Sequence, residues 1–251
     1  MLKVDLNCDM GEGCGNDAEL MNYVSSANIA CGFHAGDAST MSETVDLAIA
    51  NNVAIGAHPG YRDAENFGRT AMSLSPKEVI EIVIDQIVAL KEICEKRGAN
   101  LHHVKPHGAL YNQAAKDKEL AAAIARAVAS VDRTLILYGL PGSYLISEAE
   151  DAGLISASEV FADRTYRRDG SLTPRTEPNA LIEDANESIK QVLQMIESQS
   201  VTATTGDTVR VRAETICIHG DGIHAVEFAK KLSRTLEEKG ILIEPIRNDE
   251  I

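Results

Sequence analysis

Two hydrophobic rhythms alternate along the chain. Short apolar runs at 3–8, 27–31, 53–57, 101–104, 134–138, 159–162 and 215–218 end at Gly, Pro or polar residues, the pattern of buried parallel strands. Between most of them, apolar residues recur at helical spacing. The clearest case is 75–97. Ser75 suits the cap, Pro76 the first helical position, and Glu78 completes a Ser-x-x-Glu capping box. Val79, Ile82, Val83, Ile87, Leu90 and Cys94 then form one stripe, and Gly98 ends it. The segment 184–198 repeats this logic, with Asp184 and Glu187 at the cap and Ile189, Val192, Leu193 and Ile196 inside. The segment 221–239 has Asp221 as its cap, an apolar face of Ala225, Phe228, Ala229, Leu232 and Leu236, and a stop at Gly240. An Ala-rich helix is expected at 117–129 and a weaker one at 39–51. At 201–212 the rhythm breaks: Thr-Gly-Asp between two β-branched runs predicts a small inserted hairpin. About seven β/α units predict one α/β domain over 1–251, a barrel or a doubly wound sheet.

Composition narrows the class of partner. The chain has 251 residues, 44% hydrophobic, with no Trp and only 4% aromatics, so its core is mainly aliphatic. Its net charge of −14 argues against nucleic acid and against an acidic membrane surface. Five scattered cysteines with no Cys-x-x-Cys pair fit a reducing compartment. The first residues lack the apolar stretch of a signal peptide, and no run approaches 18 apolar residues. These features predict a soluble cytoplasmic protein.

The polar residues of interest follow the strand runs. Asp9 and Glu12 follow the first, His34 the second, His58 the third, Lys105 and His107 the fourth, Asp163 and Arg164 the sixth, and His219 the seventh. In parallel α/β folds the carboxyl ends of the strands share one face, where sites are built. Six segments would then send acid, base and cation groups into one mouth. His is suited to acid–base work near neutrality and to metal ligation. Asp9, His58 and His107 would make an Asp/His/His metal site with open positions. Lys105, a long cation at a strand end, is expected to hold a carboxylate, a phosphate or a developing oxyanion. The connection 161–176 is long and carries Arg164, Arg167, Arg168 and Arg175, a local basic patch for an anion. Arg62 and Arg69 pose the same choice between anion binding and surface pairing. His102 and His103 precede the polar end of their strand and read as structural, and His224 as a surface residue. Cys31 reads as a buried, inert thiol.

Three motif matches fail. Asp5-x-Asn7-x-Asp9 begins like a calcium loop, but Met10 stands where Gly is needed and Asn16 where Glu is needed. The glycines at 11, 13 and 15 lack the spacing of a dinucleotide fingerprint. No P-loop sequence occurs. What does match is a series of longer blocks: 4–13 (VDLNCDMGEG), 26–37 (SANIACGFHAGD), 55–59 (IGAHP), 67–69 (FGR), 103–108 (HVKPHG), 110–113 (LYNQ), 160–164 (VFADR), 169–172 (DGSL), 174–175 (PR) and 219–221 (HGD). Together, and in this order, they resemble the LamB/YcsF family over nearly the whole chain.

The resemblance implies an α/β fold, a seven- or eight-stranded (β/α) barrel of irregular TIM-like form, of the glycoside hydrolase/deacetylase type. It implies ATP-dependent cleavage of 5-oxo-L-proline (pyroglutamate) to L-glutamate, with ATP handled together with two partner subunits, B and C. Deacetylases of that superfamily hold a divalent metal with one Asp and two His, and the matching positions are Asp9, His58 and His107. The expected catalytic group is Asp9, Glu12, His34, Lys105 and His107. Asp9 or His107 would activate water, His34 or His58 would protonate the leaving nitrogen, and Glu12 would orient the base. Arg69, Arg164, Arg175 and His219 are expected to bind substrate or phosphate. Two other readings stay open: an ATP-independent metal-dependent amidohydrolase or deacetylase, and a non-catalytic regulatory subunit.

Overall fold

Ten strands and eight helices follow one another among the described residues of the computed structural model, which are 2–220, 222 and 224–247. They are β1 (Lys3–Met10), α1 (Asp17–Leu20), β2 (Ser26–Ala30), α2 (Ala38–Asn51), β3 (Ala54–His58), α3 (Pro76–Lys96), β4 (Leu101–Val104), α4 (Gly108–Ala114) and α5 (Lys118–Val131). Then come β5 (Ile136–Gly139), α6 (Tyr144–Asp151), β6 (Ile155–Phe161), α7 (Ala185–Ser198), β7 (Ser200–Thr202), β8 (Thr208–Arg210), β9 (Thr215–Ile218), α8 (Ala225–Glu238) and β10 (Leu242–Ile243).

Seven strands form a closed parallel ring in the order β1-β2-β3-β4-β5-β6-β9, because β9 pairs back onto β1 with Asn7 opposite Cys217. This is a barrel, not a doubly wound sheet. The two-residue β10 pairs in parallel with the start of β1, Lys3 opposite Leu242, as a short eighth strand at one end of the ring. β7 and β8 form a separate antiparallel hairpin. No helix of the described residues is long and apolar enough to cross a membrane.

Local signals explain most elements. Ser75 and Glu78 form the reciprocal capping box of α3, with Glu78 accepting from the Ser75 N–H at 2.8 Å. Asp184 accepts from Asn186 and Glu187 N–H groups at the start of α7, and Asp37 from Thr40 N–H at the start of α2. The buried stripes of these helices join the strands in one apolar core. Some expectations need correction. β1 runs two residues beyond the predicted 3–8 and includes Asp9. β6 starts at Ile155, four residues early, because Ser156 and Ser158 interrupt the apolar run that marks a strand. α8 begins at Ala225 behind His224, three residues later than a cap at Asp221 would place it, and Asp221 itself lies outside the described residues.

Alternation along β1 sends Asp5, Asn7 and Asp9 to the face opposite Leu6, Cys8 and Met10. The barrel interior is therefore polar. Asp5 accepts from Ser25 and Ser26 hydroxyls at 2.6 and 2.7 Å and from the Tyr138 hydroxyl at 3.0 Å. Above it, Asn28 Nδ2 donates to Asn7 Oδ1 (2.7 Å) and Asp9 Oδ1 (2.8 Å), and His103 Nε2 donates to Asn28 Oδ1 (2.8 Å). The His103 ring stacks on Tyr138 and fills the space that a side chain at Gly56 would need: a Cβ there would fall 2.1 Å from His103 Nε2. Such a network keeps buried polar groups satisfied and fixes the strand-end residues it holds.

Candidate active site

The carboxyl ends of the strands open into a cleft of about 790 Å³. Asp9, Glu12, His58, Lys105, His107, Arg69, Arg164, Arg175 and His219 all line it. His34, expected with them, does not line the cleft. It is buried behind it, with its ring stacked on His107 at 3.7 Å between centroids.

Lys105 crosses the top of the barrel. Its ammonium donates to Asp9 Oδ1 at 2.8 Å, lies 2.9 Å from Glu159 Oε1, and meets Cys217 Sγ at 3.1 Å. Burial opposes the charge, but Asp9, Cys217 and Glu159 outweigh it and raise the Lys105 pKa well above its ordinary value. Burial likewise pushes Asp9 up, and His58 and Lys105 outweigh it, so Asp9 stays ionised well below the usual range. Lys105 thus spends its charge on the chain's own carboxylates, which makes it a counter-ion to Asp9 before it is a clamp for a ligand.

Glu12 sits among three imidazoles. Its Oε1 lies 3.3 Å from His107 Nδ1, 3.4 Å from His34 Nε2 and 3.8 Å from His58 Nε2. These approaches lack hydrogen-bond geometry, and Glu12 Oε1 and both His34 ring nitrogens are buried with no hydrogen-bond partner. Burial pushes Glu12 up, but His107 and His34 hold it down at about 2. Burial lowers His34 to about 4 and also lowers His107. His58 is raised: burial opposes its charge, and the Asp9 carboxylate 3.4 Å away outweighs burial. The His58 and His107 rings are aimed by backbone carbonyls, His58 Nδ1 by Lys105 O (2.7 Å) and His107 Nε2 by Phe67 O (2.8 Å).

Across the cleft, His219 Nδ1 donates to both oxygens of Asp163, at 2.9 and 2.8 Å. A His219 nitrogen, Cys217 Sγ and an Asp9 oxygen lie within 4.8 Å of one another. Burial pushes Asp163 up, and His219 overcomes that and lowers it. The Arg-rich connection divides. Arg164 is buried and donates to Thr173 O (2.6 Å) and Ala180 O (3.3 Å), bracing its own loop, and burial lowers it to about 10. Arg167 pairs with Glu177, and Arg168 with Asp207 at 3.5 Å. Arg175 and Arg69 reach the cleft, Arg69 lying 4.9 Å from the Phe67 ring centre. Arg62 instead covers Phe33. Cys31 is buried, and burial pushes its thiol up to about 12.

The residues left unmarked in the sequence are Asn7, Asn28 and Glu159. All three are fully buried polar side chains that hold Asp9 and Lys105 in place. The available signal was a polar residue at alternate positions of an otherwise apolar strand, as in Asp5-x-Asn7-x-Asp9.

Comparison with known proteins agrees with this architecture. The sequence model of the LamB/YcsF family matches residues 4–250. The 5-oxoprolinase A subunit of Tolumonas auensis is 55% identical over 248 residues, covering 97% of this chain and 99% of that one. The crystal structure of the lactam utilization protein from Thermus thermophilus superposes with a TM-score of 0.92 at 46% identity, covering 98% and 100% of the two chains. More distant structures share the fold alone. A putative cellobiose-phosphate cleavage protein of Enterococcus faecalis has a TM-score of 0.55 at 18% identity, covering 96% of each chain. A family 4 carbohydrate esterase of Streptomyces lividans has a TM-score of 0.52 at 12% identity, covering 99% of this chain and 94% of that one. A family match along almost the whole length, together with a relative more than half identical, settles the kinship: the chain belongs to the LamB/YcsF family.

Proposed function

We propose that this chain opens the lactam ring of 5-oxo-L-proline to give L-glutamate, as the A component of an ATP-dependent 5-oxoprolinase assembly with partner subunits B and C. The observation that carries the reading is the pairing of an ionised Asp9 with an Asp163-bound His219 across one cleft, in a chain whose 55%-identical relative is named as the A subunit of a 5-oxoprolinase.

A five-membered lactam is a poor acyl donor. Transfer of a phosphoryl group from ATP to the lactam oxygen would activate it, and the chain carries no P-loop, so nucleotide handling falls to the partners or a shared interface. Asp9, kept as a carboxylate by Lys105 and aimed by Asn28, accepts the proton of the attacking water. The oxygen of that water bonds to the activated ring carbon, the ring C–N bond breaks to leave an acyl phosphate, and a second water cleaves this to L-glutamate and inorganic phosphate. His219 delivers a proton to the leaving nitrogen, with Asp163 orienting the ring and stabilising its cationic form. Arg175 and Arg69 stand at the cleft to bind the substrate carboxylate or the phosphorylated oxygen. In a protein of net charge −14 they are the local exception an anionic substrate needs.

The test is 5-oxoproline-dependent ATP hydrolysis and glutamate release, measured with the chain alone and with co-purified B and C. Asp9→Asn and His219→Ala should each cut turnover of the complex by ~10²–10⁴-fold. Near-wild-type turnover in either variant overturns the assigned roles. Hydrolysis of lactam or N-acetyl substrates by the lone chain without ATP would replace the reading by a simple amidohydrolase.

A further inference from the structure

We infer that Glu12, His34, His58 and His107 form a binding site for one divalent transition-metal cation, and that Asp9 stands outside its ligand set. Each of the four side chains comes from a different strand end or the loop after it. Each offers one ligand atom, and these atoms all lie within 4.8 Å of one another.

Three observations carry the inference. The first is polar atoms without partners. His34 is 1% exposed, yet neither of its ring nitrogens has a hydrogen-bond partner, and Glu12 Oε1 beside it has none either. A buried polar group left unpaired is costly, so three at one point suit a cation that would draw on their lone pairs. The second is the direction of the hydrogens. Carbonyl oxygens only accept, so His58 Nδ1 and His107 Nε2 carry their ring hydrogens toward Lys105 O and Phe67 O. Their other nitrogens, His58 Nε2 and His107 Nδ1, then face each other at 2.9 Å with lone pairs turned into the cluster. Anchoring of the outward nitrogen by a carbonyl is the usual support of a metal-bound imidazole. The third is charge. Asp9, Glu12 and Glu159 bring three carboxylates to this end of the barrel, and among the described residues Lys105 is the one lysine paired with them. A dication brings these groups close to neutrality.

Asp9 is set apart by position. Its Oδ1 is taken by Asn28 and Lys105 and its Oδ2 approaches His58 alone, at 3.4 Å, while the residue groups in space with Cys217 and His219 rather than with the other four. The expected Asp9, His58 and His107 trio is thus replaced by a three-imidazole, one-carboxylate set, which suits zinc, iron or nickel better than magnesium or calcium. When bound, the cation would supply Lewis-acid polarisation of the lactam oxygen. That role rests on the function proposed above; the binding does not.

The experiment uses the full chain after treatment with a chelator, followed by calorimetric titration with Zn²⁺ and the visible absorption spectrum with Co²⁺. One cation per chain is expected, with intense Co²⁺ bands of low coordination number. His34→Ala and Glu12→Gln should each weaken Zn²⁺ affinity by at least ~10-fold and alter the Co²⁺ spectrum, with melting curves confirming that the variants fold. His34→Gln serves if the alanine variant does not. Asp9→Asn should keep one-to-one binding while losing turnover, so a failed mechanism and a failed metal site give different results. Absence of stoichiometric Zn²⁺ and Co²⁺ binding in the wild type overturns the inference. So does binding that the Glu12 and His34 substitutions leave unchanged.

Discussion

Replacing Lys105 by Met probes how the barrel tolerates three charges at its centre. The ammonium lies 2.8 Å from Asp9 and 2.9 Å from Glu159, and all three residues are buried. At an effective dielectric constant of about 20, each contact is worth roughly 6 kcal/mol of gross attraction. Desolvating each ion costs several kcal/mol, so the intact cluster is close to break-even. Removing the lysine is different, because it leaves two carboxylates buried without their counter-ion. The expected loss is about 3–5 kcal/mol at pH 7. Met keeps most of the stem, so little of that loss comes from a cavity. The assay is urea unfolding followed by far-ultraviolet circular dichroism, run on Lys105→Met, Glu159→Gln and the double variant. Neutralising Glu159 removes one of the stranded charges, so the double variant should be more stable than the sum of the two singles predicts, by about 1–3 kcal/mol. A single-variant cost under about 1 kcal/mol, or strict additivity, would refute the claim that Lys105 is the structural counter-ion of both acids.

Gly56→Ala should destabilise by about 1–3 kcal/mol or more, because the added methyl meets the His103 ring, which is held by Asn28 and Tyr138. Thermal melting checks it, and a variant as stable as wild type would show that the ring yields freely. Asp132 gives a pH-dependent term. Hydrogen bonds from Thr134 and Lys91 lower it from its ordinary value to about 2, so its contribution is present above about pH 4 and fades as pH falls toward 2. Asp132→Asn should therefore cost about 1 kcal/mol at pH 7, after discounting for solvent screening. The gap to wild type should narrow as pH falls from about 4 to about 2, and a gap independent of pH would sink the assignment.

The outside of the barrel was easier to read than the inside. Val79, Val83, Ile87 and Leu90 recur at helical spacing because one face of α3 packs on the barrel, so periodicity alone finds the helix. Strands were visible as apolar runs wherever both faces are apolar. That logic fails where one face turns into a polar lumen: β1 reads as ending before Asp9, and Ser156 and Ser158 hide the start of β6. The short α4 and α6 have too few turns for a period to show. The rule that polar residues gather at strand ends placed Asp9, Glu12, His58, Lys105, His107 and His219 at one mouth, where the structure also puts them. It could not assign partners. That Lys105 answers Asp9 and Glu159, or that Glu12 sits against His34, depends on distances across a closed ring, and no spacing along the chain encodes those.

Closure of the ring between β1 and β9 also bears on how the protein is made. Asp5 and its partner Thr215 are 210 residues apart. At ordinary translation speeds of ~5–20 residues per second, β1 waits about 10–40 s for its neighbour. During that time β1 and β6 are the open edges of an unfinished sheet, with Asp9 facing a lumen that lacks one wall. The ring closes only once β9 has been made, and a chain stopped short of β9 would carry every side chain of the Glu12 cluster but present two adhesive sheet edges. Such a chain is a natural client for chaperones, and the long-range pairing predicts slow refolding in vitro.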